Sequence, residues 1–88
     1  MANTTLTAWR VRDLARSGRP LAECRAGAAV EVKQFLTELA AGRAEPSQER
    51  KLIRALAVKL KAASRQLNAQ EHPGAVAVFQ SALDALSR

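Results

Sequence analysis

The sequence predicts an all-α fold: a small antiparallel bundle of four helices in a single domain over residues 1–88. Three observations predict it. Apolar residues recur at three- and four-residue steps over long stretches. No stretch alternates in strand fashion, and β-branched residues are few. Three breaks carrying Gly or Pro divide the chain: Ser17 to Pro20, Gly42 to Ser47, and Asn68 to Gly74. Pro suits the first turn of a helix and Gly the residue just past its end, so each break reads as one helix stopping and the next starting. The expected helices cover about 4–17, 20–41, 46–68 and 73–87.

The first helix is short. Thr4 or Thr5 is the expected N-cap, because a hydroxyl accepts a hydrogen bond from a free amide of the first turn. Leu6, Trp9, Val11 and Leu14 scatter around its wheel, so its buried face is not legible. The second helix is long. Leu21, Cys24, Ala28, Val32, Phe35, Leu36 and Leu39 fall on one face at about 100° per residue, with Glu23, Gln34, Thr37 and Glu38 opposite. Gly27 lies inside it among Ala26, Ala28 and Ala29. An internal Gly costs about 1 kcal/mol relative to Ala. The patch is either a seat for a closely approaching helix or a local weak spot.

Ser47 is the expected N-cap of the third helix, with Gln48 and Glu49 in a first turn that favours negative and polar groups. Leu52, Leu56, Leu60, Ala63 and Leu67 form its apolar stripe, flanked by Ile53. In the fourth helix Val76, Phe79, Ala82, Leu83 and Leu86 share a face. Ala75 to Phe79 is an unbroken apolar run, which predicts a turn covered on most sides. The linker between the two long helices is short enough to force an antiparallel hairpin. The expected architecture is therefore a central long-helix hairpin whose groove the short helices cover, or whose exposed apolar groove meets a partner.

Composition narrows the functions. Of the 88 residues 48% are apolar, but many of these are Ala, so the larger apolar side chains are sparse for a filled core. No apolar run approaches the about 18 residues of a membrane span. A single Cys excludes an intrachain disulfide framework, and one Cys with one His makes a metal site of those ligands unexpected. No cofactor and no small-molecule substrate are expected. The opening residues lack the apolar core of a signal peptide, which favours a cytoplasmic setting with Cys24 reduced.

The net charge is +6, with Lys and Arg at 14 against Asp and Glu at 8. A basic balance favours acidic partners, or simply reflects Arg- and Ala-rich coding. On the third helix Arg50, Arg54, Lys61 and Arg65 fall within about 60° of one another, with Lys51 about 40° further round. The row runs about 22 Å along the helix axis. It reads as a contact for phosphates or an acidic partner, as a solvated face, or as a set of salt bridges to Glu31 or Glu38 on the neighbouring helix.

Trp9 is either an interface anchor, since Trp is favoured at binding hot spots, or a plug at one end of the bundle. His72 beside Glu71 offers no assembled nucleophile and base. Cys24, on an apolar face, reads as a small buried hydrophobe. With no catalytic constellation in view, the expectation is a non-catalytic helical module for protein–protein interaction: an adaptor, inhibitor, chaperone or regulatory subunit. It would bury amphipathic faces against another protein or as a homodimer. The alternative is a basic nucleic-acid-binding protein working through the third helix.

Overall fold

A computed structural model describes residues 2–70, 72 and 74–87. Its four helices are α1 (Thr4–Arg16), α2 (Leu21–Ala41), α3 (Pro46–Ala69) and α4 (Ala75–Leu86). No strand occurs among the described residues. The bundle measures 39 × 22 × 19 Å. The expected elements all form, within two residues of the expected bounds. The expected start at Pro73 lies outside the described residues.

The caps differ from expectation. Asn3, not Thr4 or Thr5, caps α1: its Oδ1 accepts from the Leu6 amide at 2.9 Å. Glu45, not Ser47, precedes α3, and Pro46 fills the first helical position, where its missing N–H would have had no partner. Gly18 and Gly74 take left-handed φ of 73° and 85° around their helix ends. After α2 the left-handed residue is Arg43 (φ 53°), while Gly42 stays right-handed.

The helices alternate in direction. Ser17, just past the end of α1, meets Cys24 of α2, Leu14 meets Gly27, and Arg10 meets Glu31, so α1 and α2 run antiparallel. Lys59 of α3 bonds Thr4 and Thr5, while Arg12 lies by Gln66, so α1 and α3 run parallel. Leu21 lies by Gly74, and Arg25 Nε donates to Ser81 Oγ at 2.8 Å, so α2 and α4 also run parallel.

The two long helices, although joined by a short linker, barely touch each other. Each packs on both short helices, and α1 also packs on α4. The small antiparallel bundle is therefore built of two hairpins laid side by side, α1–α2 and α3–α4, rather than around a packed α2–α3 pair. The reason lies in the widths of the apolar faces. Each long helix has one narrow stripe, whereas α4 buries Ala75, Val78, Phe79, Ala82, Ala85 and Leu86, half of its 12 residues. A helix that apolar belongs in the middle.

The core follows the predicted stripes closely. Cys24, Ala28, Val32, Phe35 and Leu39 of α2 are buried, as are Leu56, Leu60 and Leu67 of α3. Two expectations fail at the rim: Leu21 is 46% exposed and Val76 is 51% exposed. Val76 lies about 60° round α4 from Phe79 and about 120° from Ala82, at the outer edge of the buried face, so the run Ala75 to Phe79 is not covered all round. On α1 the buried residues are Thr7, Ala8 and Val11. Gly27 serves as a seat: a Cβ there would lie 3.1 and 3.3 Å from the two methyls of Leu14.

Candidate functional site

The amphipathic division of α3 sets the site. Its leucines are consumed on the inside, and Arg50, Lys51, Arg54, Lys61 and Arg65 all stand exposed on the outside. None of the five makes an ion pair or a side-chain hydrogen bond among the described residues. Glu31 pairs instead with Arg10 of α1 at 3.6 Å, and α2 is not the close neighbour of α3 that a bridge from the row would need. The salt-bridge explanation of the basic row is thereby corrected at Glu31. Glu49, in the first turn, is the one acidic residue of α3. Val58 stands in the row at 65% exposure.

Trp9 does not plug the bundle. It is 53% exposed on the outer side of α1, facing α3. Phe35 and Phe79 are both buried, so Trp9 carries the surface-exposed ring of this chain. The Arg12 guanidinium lies 5.9 Å from its ring centroid, within range of a cation–π contact. Arg12 also pairs with Asp13 at 3.6 Å, while its buried Nε finds no hydrogen-bond partner.

Between α1 and α3 runs an open groove of about 310 Å³, walled by Trp9 and Arg12 on one side and Lys59 and Gln66 on the other, over the small side chains of Ala8 and Ala62. Lys59 Nζ donates to the hydroxyls of Thr4 and Thr5 at 2.9 and 2.6 Å, which fixes its ammonium at one end of the groove. On the helix wheel Ala62 is about 60° from Arg65, so groove and basic row form one continuous face.

No family model, curated protein or solved structure matches this chain.

Sequence reasoning placed the basic row and named Trp9, but missed the groove and Lys59. The legible signal was the Trp9–Arg12 spacing of three, which puts the two side chains on one helix face. What was not legible was which helix would lie beside them.

Other chemistry-bearing residues stand apart. Cys24 is buried, with Sγ 3.5 Å from Ser17 Oγ and 3.6 Å from the Arg19 carbonyl. The His72 amide donates to the Leu67 carbonyl at 3.1 Å, and its own carbonyl accepts from the Ala75 amide at 3.2 Å. The pairing of His72 with Glu71 lies outside the described residues. Among the described residues no group of three or more His, Cys, Asp or Glu is placed to hold a metal ion. Among them, too, no helix is long and apolar enough to cross a membrane.

Proposed function

We propose that this chain is a non-catalytic interaction module that meets an acidic protein through the exposed face of α3. One observation carries the reading. The leucine stripes are used up inside the chain, so the surface that remains distinctive is a face of exposed cations beside an exposed Trp. Docking would not bury the leucines, as the periodicity alone suggested; it would engage Arg50, Lys51, Arg54, Lys61 and Arg65, with Trp9 as the anchor. Self-association through this face would set like charges against each other, which disfavours a second copy as the partner there. A cytoplasmic setting, with Cys24 reduced, belongs to the same reading.

The straight row of cations, about 22 Å long, favours one other reading: contact with the phosphates of a nucleic acid. A comparison of the wild type with an Arg50/Arg54/Lys61/Arg65→Glu variant separates the two. All four positions are exposed, so the variant keeps the fold. The expected result is a defined protein that co-purifies with the wild type and is lost with the variant. Binding of a duplex with a salt slope of about −4, with no protein retained, would establish the nucleic-acid reading instead. Equal behaviour of the two proteins in both assays would remove α3 from consideration.

A further inference from the structure

We propose that the groove between α1 and α3 is the seat for an acidic amphipathic helix of a partner protein, which places a large apolar side chain against Trp9 and Ala62. The inference rests on the interaction-module reading and specifies where and with what the partner docks.

Three features of the groove select this occupant. The first is its floor: Ala8 and Ala62 leave room that an apolar side chain of a third helix can enter, as in helix-in-groove recognition. The second is its wall. A half-exposed Trp supplies a large, rigid contact area, the kind of side chain that dominates binding energy once water is excluded. The third is its charge. Arg12 and Lys59 line the groove, Arg65 stands exposed about 60° round α3 from Ala62, and no acidic side chain lines it. Carboxylates on the flanks of an incoming helix would meet cations on both sides.

The competing occupants fit less well. A second copy of this chain carries a net charge of +6 and would be repelled. A single strand of nucleic acid is held by stacking successive bases on successive aromatic rings, and here one ring is exposed.

Trp9 is the sole Trp of the chain and reports on the groove directly. The probes are two synthetic helical peptides of about 18 residues, long enough to span α1. Both carry Leu at three- and four-residue spacing; the remaining positions are mainly Glu in one and Lys in the other. A short DNA duplex is the third probe. The expected result is a blue shift of Trp9 emission with the Glu peptide alone, and affinity for that peptide at least about tenfold weaker in Ala62→Glu. Ala62 is exposed, and an unchanged helical spectrum confirms that the variant folds.

Several results overturn the proposal. Equal shifts with both peptides would reduce the groove to an indiscriminate apolar surface. Peptide binding that survives Ala62→Glu but is lost in the four-site Glu variant would move docking to the outer row and leave the interaction-module reading standing. An unmoved Trp9 in a wild type that still retains its protein partner would do the same. A Trp9 response to the duplex that Ala62→Glu abolishes would make the occupant a nucleic acid.

Discussion

Gly27→Ala sets two known effects against each other. Gly27 lies inside α2, where Ala is favoured over Gly by about 1 kcal/mol. Against that gain stands Leu14 of α1. Its methyls would lie 3.1 and 3.3 Å from the new Cβ, inside the roughly 3.5–4.0 Å of optimal carbon contact. Leu14 is half-buried and packs on the core, so it yields a few tenths of an ångström only by loosening its other contacts. The expected net gain from Gly27→Ala alone is under about 0.5 kcal/mol. In a Leu14→Ala background both methyls are gone, and the same change should yield the full gain of about 1 kcal/mol, or about 4–8 °C in Tm for a domain of this size. Urea unfolding of the four proteins, followed by the helical signal, measures the coupling directly. A gain equal in the two backgrounds to within about 0.3 kcal/mol would show that Leu14 does not sit on Gly27.

Two further stability predictions use the core and the linker. Leu56 is 0% exposed, and Leu56→Ala should cost about 2–5 kcal/mol out of a total of about 4–13 kcal/mol for this length. Leu56→Asp should abolish folding, whereas Val58→Ala, two residues away on the outer face, should stay within about 0.5 kcal/mol of the wild type in denaturant. Similar losses at 56 and 58 would refute the assignment of faces. Arg43 holds a left-handed φ that costs a residue with a Cβ about 1–2 kcal/mol. Arg43→Gly should therefore raise Tm, the net gain being about 0.5–1 kcal/mol after the added freedom of the unfolded chain is counted. A lower Tm would mean that the Arg43 side chain contributes more than its backbone strain removes.

Much of this fold could be read from spacing, because the leucines of α3 and the mixed stripe of α2 are strongly periodic and each faces one direction. The basic row was legible for the same reason: Arg50, Arg54, Lys61 and Arg65 repeat at helical steps opposite Leu56, Leu60 and Leu67. Cap residues were less legible. Asn3 and Thr4 both offer a side-chain oxygen, and one residue of register decides which is used. The packing order escaped the periodicity altogether. A single stripe on each long helix specifies that something covers it, not which helix does, and the short linker between α2 and α3 suggested the wrong neighbour. That same choice decides which residues flank Trp9, so the groove became visible only once α1 lay along α3.

The near absence of contact between α2 and α3 has a consequence for how the molecule divides. The linker at residues 42–45 belongs to neither half, and the two halves are held to each other by side chains: α1 on α3, α2 on α4 and α1 on α4. In that sense the bundle is a heterodimer of two helical hairpins written as one polypeptide. The linker serves chiefly to keep their effective concentration high.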